Sequence, residues 1–237
     1  MVFFDPTIAD VLLTYARRVV ARGYIHNTLG NSAVRTPAAG FDDGVVYTKH
    51  AGISLEEMTR DHVVITDVPT GRLLHGDVPT SVGHQLNREI LRLRPDVNAV
   101  IHVHHDETIA YFAASPGREL RILSIEFPSV MGRPPHVLPS HVNVELDVAP
   151  IRSFIHHTNA IVMEGHGVTT LGRTLSEAYH RLNTLAAEVR RLALAEELAV
   201  LRGSEIQYVD PASLEWAYEH ADDVIYPTPA AAAAAPR

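Results

Sequence analysis

Cysteine is absent from all 237 residues. That absence excludes a disulfide framework, a thiolate metal site and a cysteine nucleophile. No apolar run approaches the roughly 18 residues that a membrane-spanning helix needs. The N-terminus, MVFFDPTIAD, has no basic stretch ahead of an apolar one, so no secretory leader is expected. Basic residues are the minority: 20 Lys+Arg stand against 28 Asp+Glu, a formal net charge of -8. That balance lends nothing to nucleic-acid binding. What remains, 46% hydrophobic and 20% charged residues, is ordinary globular composition. The expectation is a cytoplasmic single domain over residues 1–226, with neither a nucleic-acid nor a membrane partner. The last stretch, PTPAAAAAAPR at 227–237, reads as a disordered low-complexity tail.

Histidine is what the chain has in number. There are 15, none in a tag-like run, and several fall inside apolar segments, which raises metal binding. Residues 5–22 show an apolar helical stripe behind an Asp5-Pro6 start. LGNSAVRT at 29–36 and VVYT at 45–48 read as strands around a hairpin loop. SLEEM at 54–58 starts as a short helix with a Ser54/Glu57 capping box, and HVVITDV at 62–68 reads as a strand. A helix is expected from near Thr80 or Ser81 to Pro95, and another over 106–115. RILSIEF (121–127) and HVNVEL (141–146) are weaker strand candidates. AIVMEG and GVTTLG flank a turn, and the longest helix is expected over 176–201, with a last one over 210–224. No internal repeat is present. The alternation of elements is α/β.

His102 and His104 lie two apart in a strand pattern, so both imidazoles share one face. His166 follows another apolar strand, between Gly165 and Gly167, which let the backbone turn. Three neutral imidazoles with an open position suit a catalytic zinc or a similar divalent metal. The competing reading is a strand end with polar side chains. His105 points the other way.

These residues sit in an ordered set: GNSAVR (30–35), TKHAGISLEEM (48–58), VPTSVGHQL (78–86), RPDVNAVIHVHHDETIA (94–110) and EGHGVTTLGRTLSEAYHRL (164–182). In order and spacing the set resembles the class II aldolase/adducin family, which includes fuculose-phosphate aldolase and ribulose-phosphate 4-epimerase. The resemblance implies a central, mainly antiparallel sheet flanked by helices, a metal on His102, His104 and His166, and a homotetramer with sites between subunits. Zinc, manganese, iron and cobalt all suit such a donor set.

Two departures bear on the reaction. The family's Pro-Ser-Ser-Glu segment places its proton-transferring glutamate where this chain has Val82. His84 is the nearest titratable replacement, and the candidate general acid. The anion cradle keeps Gly30, Asn31, Ser32, Gly52, Thr80 and Ser81, but its turn reads Thr48-Lys49-His50-Ala51-Gly52. Lys49 there offers charge to a carboxylate; alternatively it is a solvated loop lysine. Together these departures resemble the family's aromatic decarboxylases, such as dihydroxyphthalate decarboxylase. The expectation is a metal-dependent lyase, a carboxy-lyase of a hydroxylated aromatic dicarboxylate in aromatic catabolism, with His84 and Lys49 catalytic and Asn31, Ser32, Gly52, Thr80 and Ser81 binding the small-molecule carboxylate substrate. Two alternatives stay open: an aldolase or epimerase of a sugar phosphate, and a non-catalytic adducin-like binding module.

Overall fold

The computed structural model describes residues 3–221. The expected tail at 227–237, and the domain boundary before it, lie outside the described residues. Eight strands form one sheet: β1 (Asn31–Ala38), β2 (Phe41–Lys49), β3 (Val63–Asp67), β4 (Leu73–His75), β5 (Ala99–Val103), β6 (His136–Leu138), β7 (Ala160–Met163) and β8 (Gly167–Gly172). Their spatial order is β4-β3-β2-β1-β5-β8-β7-β6. Every neighbouring pair is antiparallel except β6 with β7. The described residues therefore form a single α/β domain around a mainly antiparallel sheet, as the resemblance implied.

Among the described residues six α-helices accompany the sheet: α1 (Pro6–Ala21), α2 (His84–Leu93), α3 (Asp106–Ala114), α4 (Glu126–Met131), α5 (Leu175–Arg202) and α6 (Pro211–Glu219). Helix α1 starts where Asp5 caps it, its carboxylate accepting from the Thr7 amide at 2.8 Å, with Pro6 in the first turn. Thr174 caps α5 through the Glu177 amide, and Gly203, left-handed at φ 62°, ends it. Arg35 of β1 closes the other end of α2. Its guanidinium donates to the carbonyls of Leu91 at 2.7 Å and Pro95 at 2.8 Å.

Because successive strand residues point to opposite faces, the sheet separates two apolar layers. On one face Tyr47, Ile101 and Val103 pack with Leu12 of α1 and Leu182 of α5. On the other Val46, Val100 and Leu171 pack with Ile90 and Leu91 of α2. Strand β5 is buried along its whole length. No helix among the described residues is long and apolar enough to cross a membrane.

Several local expectations change. Helix α2 begins at His84, because residues 81–83 form a turn first. SLEEM forms turns rather than a helix, yet the expected capping contact exists: the Glu57 amide donates to Ser54 Oγ at 3.1 Å. The segment at 121–127 leads into α4, and 141–146 is an irregular loop. Of the aromatic pair on α6, Tyr218 packs against the protomer's own core, whereas Trp216 is exposed.

Candidate metal centre

His102 lies on β5 directly opposite Thr169 of β8, and opposite Asn31 of β1 on its other side. Directly paired residues share a face, so these three side chains lie on the α2 side. The His102 ring is anchored at Nδ1 by Thr169 Oγ1 at 3.0 Å. Its Nε2 is buried without a hydrogen-bond partner among the described residues. His104 follows the end of β5, and His166 occupies the tight turn between β7 and β8. The turn needs Gly165 at φ 69°, and Gly167 packs so tightly against β5 that an added Cβ would lie 2.3 Å from the Val103 carbonyl oxygen.

The three rings converge, with centroids 4.7–5.2 Å apart. One nitrogen from each lies within 4.8 Å of the other two. Burial holds His102 down to about 3, and burial followed by the neighbouring His166 lowers His104 as well. Neutral imidazoles are what a divalent metal requires. The orphaned Nε2 of His102, aimed at the common centre, fits a bound cation.

A fourth group joins them that the sequence reading missed. Glu145, from the loop at 141–146, places Oε2 3.3 Å from His166 Nε2 and Oε1 3.6 Å from His102 Nε2. Burial works against its charge, but the hydrogen bond from His166 and the surrounding imidazoles outweigh it and hold the carboxyl below the usual range. Its loop is positioned by Val144, wholly buried in the α2-side core, and by Asn143, whose side chain accepts from the Glu145 amide at 3.0 Å. No motif announces this residue; HVNVEL reads as a plain alternating segment.

Other expected site residues divide. Asn31 reaches the centre, its side chain beside Gly83 and Glu145 and its Oδ1 accepting from Asn87. The turn ending at Gly52 is joined to the Thr80/Ser81 loop, where the Ala51 amide donates to the Pro79 carbonyl at 2.8 Å. Ser32 pairs with Ile101, so its side chain takes the α1/α5 side of the sheet, away from His102. Lys49 is not brought to the cluster either. It shares its strand parity with Val45 and Tyr47, which face α1 and α5. It is buried, and its Nζ donates to the carbonyls of Thr28 at 2.7 Å and Ile53. Neither the substrate-facing role nor the solvated-loop alternative matches that placement. His84 is also buried, with Nε2 2.8 Å from Thr66 Oγ1. Burial pushes it down to about 3, which disfavours the imidazolium that a general acid would use. His105 hydrogen-bonds Thr108 at the start of α3 and stays outside the cluster. Val82, at the family's glutamate position, is half exposed, at 53%.

A cavity of about 890 Å³ lies between the loops near Leu120 and Pro135 and helix α6. None of the three clustered histidines lines it.

Comparison with known proteins agrees with this geometry. Residues 10–191 match the model of the class II aldolase and adducin N-terminal domain. Methylthioribulose-1-phosphate dehydratase of Enterobacter sp. (strain 638) is 28% identical over 186 residues, covering 73% of this chain and 88% of that protein. L-fuculose phosphate aldolase of Methanococcus maripaludis is 24% identical over 176 residues, covering 71% and 87%. The crystal structure of Escherichia coli YgbL superposes with a TM-score of 0.74 at 18% identity, covering 90% of this chain and 98% of that one. The chain belongs to the class II aldolase and adducin family, and it is an enzyme of that family's lyase and dehydratase kind.

Proposed function

We propose that the protein is a divalent-metal lyase acting on a small phosphorylated sugar, by aldol-type cleavage or by loss of water. The observation that carries the reading is the convergence of His102, His104 and His166, with the His102 Nε2 buried and unpartnered. These three residues would hold zinc, manganese, iron or cobalt. When bound, such a cation supplies a Lewis acid that polarises a substrate oxygen and stabilises the charge left when a neighbouring bond breaks.

The chain's own residues complete the site. Asn31 offers an amide beside the metal ligands, and Thr169 holds the His102 ring in place. The loops carrying Gly30, Gly52, Thr80 and Ser81 offer backbone and hydroxyl donors suited to a phosphate. A phosphate is favoured over an aromatic dicarboxylate for two reasons. The lysine that argued for a carboxylate is engaged with two carbonyls on the other side of the sheet. And the curated relatives are, by name, a sugar-phosphate aldolase and a sugar-phosphate dehydratase. The decarboxylase reading also assumed a centre without a carboxylate, and Glu145 is there. We further propose a homo-oligomer, a tetramer by resemblance, to be read by sedimentation.

The test is a substrate panel on metal-loaded protein. Fuculose 1-phosphate is assayed for aldehyde release, methylthioribulose 1-phosphate for dehydration, and a dihydroxyphthalate for carbon dioxide. Turnover of a phosphorylated sugar is expected. Carbon dioxide release with both phosphates inert would restore the decarboxylase.

A further inference from the structure

We propose that Glu145 is a fourth protein ligand of the metal centre, admitted to that position by the missing side chain of Gly83. The inference rests on the reading that His102, His104 and His166 hold the metal, and it concerns a loop that none of the sequence motifs includes.

In a tetrahedral site with bonds of roughly 2.0–2.2 Å, the donor atoms lie roughly 3.3–3.6 Å from one another. Glu145 Oε2 is 3.3 Å from His166 Nε2, and its Oε1 is 3.6 Å from His102 Nε2. A separation of 3.6 Å is too long for a hydrogen bond, and the His102 nitrogen is indeed without one. A carboxylate oxygen and an unpartnered ring nitrogen thus face each other across a gap that a cation fits.

The carboxylate enters a space that Gly83 leaves open. A Cβ placed on Gly83 would lie 2.1 Å from Glu145 Oε1 and 2.8 Å from its Cδ. Any other residue at 83 would push the carboxylate out. Gly83 has ordinary helical backbone angles, φ -58° and ψ -16°, so conformation does not demand glycine there. What a side chain there would displace is the Glu145 carboxylate. Buried Val144 and the Asn143 side chain fix the backbone leading into Glu145, as a ligand that must arrive preorganised requires.

The experiment compares wild type, Glu145→Gln, Gly83→Ala and the double variant, each freed of metal and titrated with cobalt(II). Affinity comes from chelator competition and coordination from the visible absorption of the bound ion. Partners that merely orient ligands change affinity by roughly 10- to 100-fold. Loss of a ligand should weaken binding by about 100-fold or more and change the cobalt spectrum. Gly83→Ala should reproduce both effects, and the double variant should be no worse than Glu145→Gln alone. Thermal unfolding of the metal-free forms checks that each variant folds. Wild-type affinity and spectrum in a folded Glu145→Gln would overturn the inference while leaving the three-histidine site standing. A wild-type protein that binds no cobalt would overturn both.

Discussion

Thr169→Val tests whether the metal centre depends on its supporting hydrogen bond. The substitution nearly preserves shape, and Thr169 is wholly buried in the middle of β8. What it removes is the oxygen 3.0 Å from His102 Nδ1. A hydrogen bond of this kind contributes about 0.5–1.5 kcal/mol net, whereas a buried polar group left unpaired costs about 1–3 kcal/mol. The His102 ring is itself buried to 1% exposure, so bulk solvent does not readily stand in for the lost partner. The metal-free protein should therefore lose about 1–3 kcal/mol, and in a chain of this size each kcal/mol lowers Tm by roughly 2–4 °C. Metal affinity should fall further than stability suggests, because a ring freed at Nδ1 can turn its Nε2 lone pair off the centre. Outer partners of ligating histidines typically account for 10- to 100-fold in affinity. Chelator competition measures the second quantity and a thermal melt the first. Thr169→Ser, which keeps the hydroxyl, should retain most of both. Thr169→Val with wild-type affinity would refute the idea that this bond orients the ligand.

Other expectations follow from the same geometry. His166→Ala should lose bound divalent metal and lyase activity together; an active, metal-replete variant, seen by metal analysis, would remove His166 from the site. Gly167→Ala should destabilise the protein by about 1–3 kcal/mol, because its Cβ would stand 2.3 Å from the Val103 carbonyl oxygen; an unchanged Tm would contradict the close packing of β8 on β5. Lys49→Met should leave KM for the substrate unaltered, and its effect should appear in stability instead. Burial pushes Lys49 from 10.5 down to about 8. Between those values the unfolded chain holds a proton that the folded chain has given up, so the wild type should gain stability relative to Lys49→Met as pH rises from about 8 to 10.5. Denaturation at pH 7.5 and 9.5 reads this, and a wild type that loses stability relative to Lys49→Met over that rise would count against it.

How legible the site was differs residue by residue, for physical reasons. His102 and His104 could be paired from spacing alone, because period-two alternation is local geometry. His166 could be placed at a strand end because glycines bracket it. Lys49 could not be placed the same way. Strand β2 is buried on both faces through Val45–Lys49, so its sequence is apolar at both parities and says nothing of which face meets the chemistry. Only the register, in which Ile101 and Val103 share a layer with Tyr47 while His102 does not, puts Lys49 on the far side. The segment HVNVEL failed for a different reason. Its alternation imitates a strand, but half of its amides are spent locally: Val142 on the Pro139 carbonyl, Leu146 on that of Asn143, and Glu145 on the Asn143 side chain. Such a loop is held by tertiary contacts, and its one functional side chain is identified by a neighbour 62 positions away in the chain, Gly83, which has no side chain at all. The carboxylate that the resemblance places at Val82 and the one that Glu145 brings to the imidazoles therefore belong together. A centre of three imidazoles leaves room for an anionic group on its open side, and the backbone at Gly83 decides from which segment that group comes.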